Sequence, residues 1–152
     1  MSEAPDFVHL RTRSHYSLLG APVEVKDLVK GAAADGQKAL ALTDNGNLFG
    51  AIEFYKNCKE LGIRSILGQT TFVAAKSARQ TAGGDNPTYD LTLLAESNEG
   101  LDNLRTLSTM SHLEGFSYRP RVDLEMLSRH SKGLLCLSGS THGWIGQCLQ
   151  QN

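Results

Sequence analysis

The stretch ALALTDNGNLFGAIEFYKNCKELG, residues 39–62, contains one complete strand–turn–helix unit. Its first five residues are a short apolar run that predicts a buried strand, and the polar turn DNGN follows directly. The next segment has apolar residues at helical spacing, with Ile52, Tyr55 and Leu61 near one predicted face, and Gly62 is placed to end the helix. A strand followed by a helix is the repeating unit of an α/β fold.

The same alternation extends in both directions from this unit. Before it, the sequence predicts a strand over Phe7–Arg13, with alternating apolar and basic residues, and a helix over Val23–Ala34. After it, the predicted strands are Ile63–Leu67, Thr71–Ala75, Asp90–Ala95 and Gly133–Ser138, and the predicted helices are Asn98–Leu113, Leu124–His130 and Trp144–Leu149. The segment Lys76–Thr88 is polar and glycine-rich, which predicts a loop. We therefore expect an α/β domain with mainly parallel strands and with Trp144 and Leu149 in its core.

The composition bounds the class of protein. The chain has 152 residues, 40% of them hydrophobic, and a formal net charge of −1, so no overall positive charge favours nucleic acid. No stretch reaches the about 18 apolar residues of a membrane span, and the N-terminus lacks a signal-peptide pattern. The three cysteines, Cys58, Cys136 and Cys148, are widely spaced, which favours reduced thiols over disulfides. We expect a cytoplasmic protein that does not contact a membrane.

Polar residues follow the ends of several predicted strands. They are Arg11, Arg13 and His15 after the first strand, Asp44 and Asn45 after the second, Gln69 and Thr70 after the third, and Ser138 and Ser140 after a later one. In α/β folds, ligands collect at the carboxyl ends of the strands. These side chains therefore predict a pocket, although a basic strand face is also typical of a solvated surface.

Two further groups of polar residues have weaker signals. The segment EGFSYRPRVD, residues 114–123, carries Tyr118, Arg119 and Arg121 around a proline. It is typical of an exposed basic loop, with contact to nucleic acid or to a partner domain as the alternative. His142 follows a predicted strand end near the expected pocket.

Six blocks of the sequence together resemble a known domain family. They are FVHLRTRSHYSLL, ALALTDNGNLFGAIEFYKNCKELGI, ILGQTTFVA, LTLLAESNEGLDNL, EGFSYRPRVD and GLLCLSGS. Their order and spacing are similar to the N-terminal PHP (polymerase and histidinol phosphatase) domain of bacterial replicative DNA polymerase III alpha subunits. The resemblance implies a partial, distorted TIM-like barrel with outer helices and a cleft at the strand ends. In metal-binding members this cleft holds up to three metal ions that support phosphoester hydrolysis.

The chain departs from the ligand pattern of those members. The resemblance implies His-x-His followed by an acid in the first block, Thr-Asp-His-Gly-Asn in the second, Gly-x-Glu in the third, a histidine before LTLLA and a cysteine after LSG. The residues at the corresponding positions are Arg11, Arg13 and His15, then Asp44 and Asn45, then Thr70, Asp90 and Ser140. Of these, Asp44 alone keeps the identity of a metal ligand.

The chemistry of arginine decides what this pattern predicts. A guanidinium is always protonated and has no lone pair to offer a metal ion. We expect no metal cofactor and no catalytic residues, and we expect Arg11 or Arg13 to pair with Asp44, with Asp90 as a second partner, so that fixed cations replace the metal charge. The alternative in the same pocket is that the arginines bind a phosphate or the DNA backbone without hydrolysing it.

Two hypotheses about function remain at this point. The first is a structural and interaction module of a replicative polymerase, whose partners are the rest of the alpha subunit and a separate proofreading exonuclease, with DNA involved indirectly. The second is a phosphoesterase or 3′-5′ exonuclease that uses zinc or manganese. The chain contains no polymerase palm aspartates, and residues 1–152 correspond to the N-terminal portion of a PHP domain. Such a portion would expose strand edges, so we expect self-association or marginal stability.

Overall fold

The computed structural model describes residues 7–80 and 86–150, which form alternating helices and strands. The helices are α1 (Val25–Ala34), α2 (Ala51–Glu60), α3 (Asn98–Leu113), α4 (Leu124–Arg129) and α5 (Trp144–Gln150). The strands are β1 (Ala39–Leu42), β2 (Arg64–Ala74), β3 (Thr88–Ala95), β4 (Arg121–Val122) and β5 (Leu134–Leu137). The α/β class predicted from the sequence is confirmed. No helix among these residues is long and apolar enough to cross a membrane.

The sheet has the order β1-β2-β3-β5, and β4 pairs with β2 beside this path. The pairings β1–β2 and β2–β4 are parallel, whereas β2–β3 and β3–β5 are antiparallel. The sheet is therefore more mixed than the mainly parallel arrangement expected from the sequence. The described residues between β2 and β3, 75–80 and 86–87, contain no helix, and a strand that returns without a crossover pairs antiparallel, as β3 does on β2. Of the predicted loop Lys76–Thr88, residues 81–85 lie outside the described part, and Thr88 already belongs to β3.

The N-terminal segment differs from its prediction. Residues Phe7–Arg13 do not form a regular strand, and the backbone bends at Leu10 and Arg11. Two backbone hydrogen bonds attach the segment to β1 and its end, in which Ala41 donates to the carbonyl of His9 at 2.9 Å and Thr43 donates to that of Thr12 at 2.8 Å. Leu10, on the face expected to be apolar and covered, is 40% exposed, so the segment does not have the covered face of a buried strand. The alternation in this segment reflects one attached edge rather than a full strand.

Strand β2 runs without interruption through Gly68, where the sequence predicts a break between two strands. A Cβ atom at Gly68 would meet the carbonyl oxygen of Leu93 and the side chain of Thr43, so the glycine permits close packing rather than a turn. The first half of β2 pairs with β1, and the second half pairs with β3 and β4. Strand β2 thus lies between β1 and β3 and extends beyond the end of β1.

The buried apolar side chains form two clusters. The first joins α1, α2 and β1 around Val29, Leu40 and Phe54. The second joins β2, β3, α3 and α4 and includes Val73, Leu93, Leu104, Leu107, Val122 and Met126. On α2 the buried residues are Phe54 and Cys58, whereas Ile52, Tyr55 and Leu61, which the sequence places near one face, are exposed.

The last helix also differs from its prediction. Trp144 is half-buried and stacks on Tyr89, with ring centroids 4.8 Å apart, but Leu149 is exposed. No residue of α5 is fully buried. The helix is thus held mainly at its first turn, and the expectation of Leu149 in the core is wrong.

Candidate functional site

A cleft of about 730 Å³ opens where β2, β3 and their neighbouring loops meet. Its floor includes Phe72 on β2 and Asp90 on β3, which are register partners and therefore project from the same face of the sheet. Its lining also includes Arg13, Asn45, Arg119 and His142. The structure thus places several of the polar residues singled out in the sequence around one opening.

Arg11, Arg13 and Asp90 form an ion cluster at this cleft. The Oδ2 atom of Asp90 lies 3.4 Å from Nη2 of Arg11 and 3.9 Å from Nη2 of Arg13. All three side chains are partly buried, with 29%, 30% and 16% of their surface exposed. The backbone N–H of Asp90 donates to the carbonyl of His142 at 3.0 Å, which fixes the strand beside the α5 side of the cleft. The cluster joins the N-terminal segment to β3, 79 residues away along the chain.

The two guanidiniums are incompletely satisfied. The Nε atoms of both Arg11 and Arg13 are buried and have no hydrogen-bond partner. Burial and the positive charge of Arg11 lower the pKa of Arg13, while the charges of Asp90 and Asp44 act in the opposite direction. One shared carboxylate oxygen therefore does not fully neutralise or hydrogen-bond the pair.

Asp44 is buried and has a different set of partners from the one predicted. Its Oδ1 accepts from the backbone N–H of Ser14 at 2.7 Å and from the Ser17 hydroxyl at 2.6 Å, and its Oδ2 accepts from the Ser14 hydroxyl at 2.8 Å. The ion pairs of Arg11 and Arg13 are both with Asp90. The expected pairing of an arginine with Asp44 is therefore wrong, because two serines of the preceding loop already occupy its oxygens.

The next three predicted site residues lie near Asp44 but differ in accessibility. Asn45 lines the cleft, and its backbone N–H donates to Ser17 Oγ at 3.0 Å. Thr70 is buried, and its hydroxyl donates to the carbonyl of Thr43 at 3.0 Å. The His15 ring packs against Tyr16 with centroids 4.2 Å apart, and its Nδ1 has no partner. Of the three, only Asn45 reaches the opening.

Ser140 is not brought into the cleft. The residue is exposed in the turn after β5, where its carbonyl accepts a hydrogen bond from the Gly143 N–H at 2.8 Å. His142, two residues further along, lines the cleft instead. The turn between β5 and α5 therefore places His142 at the cleft, whereas the sequence blocks indicate Ser140.

The residues at these positions do not fit a metal ion. Within residues 7–80 and 86–150, no group of three or more His, Cys, Asp or Glu side chains is arranged to hold one. Arg11 and Arg13 offer only donors, and both oxygens of Asp44 already accept hydrogen bonds. A divalent cation placed here would meet two fixed positive charges within reach of the same carboxylate.

Sequence reasoning missed Ser14 and Ser17, which hold Asp44. These serines flank His15 and Tyr16 in the block SHYS, and nothing in the sequence indicates that both bind the same carboxylate. It also placed Arg121 in an exposed loop, whereas Arg121 is buried and donates to the carbonyls of Ala78, Gly115 and Gln80.

Arg119, by contrast, is exposed, and its guanidinium lies over the Phe72 ring, 4.7 Å from the centroid. The two arginines differ because Arg121 is the first residue of β4, whereas Arg119 lies before the strand.

The family comparison matches the PHP domain to residues 9–152 of this chain. The chain belongs to the PHP domain family. The mixed α/β sheet with its outer helices is the part of this fold that the described residues show. The correspondence of Arg11 and Arg13 to the first two histidines of metal-binding members stays a prediction from the sequence blocks.

The similar curated proteins are polymerase subunits. The chain is 43% identical over 149 residues to the DNA polymerase III subunit alpha of Treponema pallidum, a match that covers 95% of this chain and 13% of that protein. It is 40% identical over 151 residues to the same subunit of Thermus aquaticus, covering 96% and 12%. The chain therefore spans about an eighth of the length of these relatives.

Two solved structures show weaker likenesses. One is an amidohydrolase from Chromobacterium violaceum with bound sulfate and no metal, with a TM-score of 0.48 and 20% identity over 81% of this chain and 46% of that one. The other is described as a metal-dependent phosphoesterase from Bifidobacterium adolescentis, with a TM-score of 0.46 and 15% identity over 68% and 32%. Likenesses of this size carry no weight for the chemistry of the cleft.

Proposed function

We propose that this chain acts in DNA replication as a metal-independent structural and interaction module of a DNA polymerase III alpha subunit. The observation that carries the proposal is the ion cluster of Arg11, Arg13 and Asp90 at the position expected for metal ligands. A metal-dependent phosphoesterase of the PHP type would need residues here that coordinate a metal ion, and arginine has no lone pair to do so.

The ion cluster has a structural role that a metal ion would otherwise have. It connects the N-terminal segment to β3, while Asp44 holds the loop of Ser14 and Ser17 against the end of β1. Guanidiniums are always charged in proteins, so the connection of the N-terminal segment to β3 needs no metal ion. The module is therefore assembled by its own side chains.

The partners follow from the family to which the chain belongs. We propose that residues 1–152 form the N-terminal portion of a longer PHP domain and that the remainder of the alpha subunit is the first partner. A separate proofreading exonuclease subunit is the second, because a PHP domain without metal cannot remove mismatched nucleotides itself. Contact with DNA is indirect in this proposal, and the site of action is the cytoplasm. The relatives that support this assignment are all far longer than the chain.

The test is a 3′ exonuclease assay on single-stranded and mismatched primer substrates, with manganese or zinc added. We expect no release of nucleotides above the level of a sample without protein. The opposite result is release that requires manganese or zinc and that disappears in Asp44→Asn but persists in Asp102→Asn, an exposed carboxylate far along the sequence on α3. That pattern would establish the phosphoesterase alternative.

A further inference from the structure

We propose that the cleft binds a phosphate group directly, without a metal ion, through the guanidiniums of Arg13 and Arg119. This inference rests on the proposed loss of the metal site and assigns a ligand to the same cleft. The bound group is a phosphate monoester or inorganic phosphate, whose oxygens accept hydrogen bonds and carry negative charge. No bond of the ligand is made or broken.

The cleft carries an excess of positive charge. Three guanidiniums, those of Arg11, Arg13 and Arg119, lie at or beside it, and the carboxylate in its lining is Asp90. Asp44 is the second carboxylate nearby, and it is buried with three neutral hydrogen-bond donors. Even when both carboxylates are counted, the cluster keeps an excess of positive charge, which favours an anion.

The guanidiniums of Arg13 and Arg119 lie on either side of one patch of the sheet. Strand β2 lies between β4 and β3, with Phe72 as register partner of Arg121 on one side and Asp90 on the other. Arg119 reaches over Phe72 from the β4 side, and Arg13 meets Asp90 on the β3 side. The two guanidiniums therefore flank the same patch of the sheet, as two donors on one phosphate group must.

The hydrogen-bond donors of the three guanidiniums are only partly occupied by carboxylates. Arg11 and Arg13 each make one long contact to the same Asp90 oxygen, and neither forms a two-pronged pair with the carboxylate. Their buried Nε atoms lack partners, and Arg119 makes no ion pair with a carboxylate in the described part of the chain. The Nη groups of these arginines therefore keep donors that no carboxylate occupies, and a phosphate supplies acceptors only.

The size and lining of the cleft indicate how much of a ligand it holds. A volume of about 730 Å³ exceeds what a bare phosphate needs and is in the range of small-molecule pockets. Phe72, which lies under Arg119, and Tyr89, which stacks on Trp144, also line the cleft. Inorganic phosphate, a mononucleotide and the phosphorylated end of a DNA strand share the chemistry that the arginines recognise.

The experiment is isothermal titration calorimetry of the 152-residue chain with inorganic phosphate, in the presence of a chelator and at constant ionic strength. We expect saturable binding of one phosphate per chain, and Arg119→Gln should weaken it about tenfold, the effect of losing one charge-assisted hydrogen bond. Arg119 is exposed, so this variant should fold normally, which circular dichroism checks. Arg105→Gln is the matched control, because Arg105 is an exposed arginine that pairs with Asp102 on α3 and should leave binding unchanged.

Further titrations separate the sources of the ligand. Tighter binding of thymidine monophosphate than of phosphate supports a mononucleotide, and tighter binding of a 5′-phosphorylated single strand than of its unphosphorylated form supports a DNA end. Absence of phosphate binding to the metal-free chain, or equal binding by wild type, Arg119→Gln and Arg13→Gln, would overturn this inference alone. Binding that appears only after manganese or zinc is added would overturn the proposed function as well.

Discussion

Asp44 keeps the residue type of a metal ligand, yet its environment is that of a structural carboxylate. It is 1% exposed and accepts three hydrogen bonds from Ser14 and Ser17. In Asp44→Asn, an amide N–H group replaces one carboxylate oxygen and faces the donors of Ser14 and Ser17. At least one of these donors then loses its acceptor. We expect Asp44→Asn to lower the free energy of unfolding by about 3 kcal/mol, measured by urea denaturation.

The control for Asp44→Asn is Asp102→Asn, which removes a carboxylate from an exposed ion pair on α3. Exposed pairs contribute little, so this variant should change the free energy of unfolding by less than about 1 kcal/mol. Equal stabilities of the two variants would show that Asp44 does not organise the loop.

At the residue level, the sequence predicts which residue types lie at the cleft but not which of them form ion pairs. The arginines at positions 11 and 13, together with the resemblance, are enough to predict that metal ligands are missing. The choice of Asp90 over Asp44 as the ion partner could not be predicted. This choice depends on the loop of Ser14 and Ser17. The backbone turn between the two serines directs both hydroxyls at Asp44, so its oxygens are already occupied.

At the scale of elements, two glycines in helices have opposite surroundings. A Cβ atom on Gly100, in the first turn of α3, would overlap the carbonyl oxygen of Gly133, just before β5. A Cβ atom on Gly31, in α1, would meet nothing within 4 Å. We expect Gly100→Ala to destabilise the fold by about 2 kcal/mol through overpacking, and Gly31→Ala to stabilise it by about 0.5–1 kcal/mol through helix propensity.

Thermal and urea denaturation of both glycine variants check this pair of predictions. Because the substitution is the same, the difference in sign isolates the contact between α3 and the segment before β5. If Gly100→Ala proved as stable as Gly31→Ala, then α3 would not pack against that segment as described.

Asp123 connects α4 to the segment after β2, and its contribution depends on pH. Its carboxylate accepts from the N–H of Met126 at 3.0 Å and from that of Ala78 at 2.9 Å. Burial raises the pKa of Asp123, but these backbone hydrogen bonds and the charge of Arg79 outweigh burial, so the pKa lies below its ordinary value. The ionised form is therefore favoured in the folded state.

The sign of the pH effect follows from this lowered pKa. The stability from Asp123 is present above its unfolded pKa of about 3.9 and is lost as the pH falls through the lower folded-state pKa. We expect Asp123→Asn to be less stable than wild type by about 1–2 kcal/mol at pH 7, with the difference shrinking below pH about 4. Urea midpoints measured from pH 7 to pH 2 test this, and a difference that stays constant with pH would contradict it.

The elements that the sequence predicts best are those with a long, consistent pattern. Helices α1 and α3 and the strand–turn–helix unit from β1 to α2 lie close to their predicted positions. The continuity of β2 through Gly68 and the failure of Phe7–Arg13 to form a strand were not predictable. Both depend on which neighbour supplies backbone hydrogen bonds, and this is a long-range property.

For the whole molecule, the exposed edge of the sheet is the feature with the clearest consequence. Strand β5 pairs with β3, and the structure shows no second partner for it among residues 7–80 and 86–150. Its sequence LLCL has no charged residue, and Leu135 is half-exposed. Such an edge is a template for pairing with another chain.

We therefore expect the 152-residue chain to self-associate reversibly at concentrations from about 1 μM to about 1 mM. Leu135→Lys places a charge on the edge and should shift the chain toward monomer. Leu113→Lys, at the exposed end of α3, is the matched control and should leave the association unchanged. Sedimentation velocity at several concentrations measures this, and a monomer throughout the range would refute the prediction.

The central claim is that side-chain ion pairs have replaced a metal site in this PHP domain. The most direct test is the zinc and manganese content of the purified chain after incubation with each metal and removal of the excess by gel filtration. We predict far less than one metal ion per chain, with an unchanged unfolding midpoint when a chelator is added. About one or more tightly bound ions per chain, together with loss of stability on chelation, would contradict the claim.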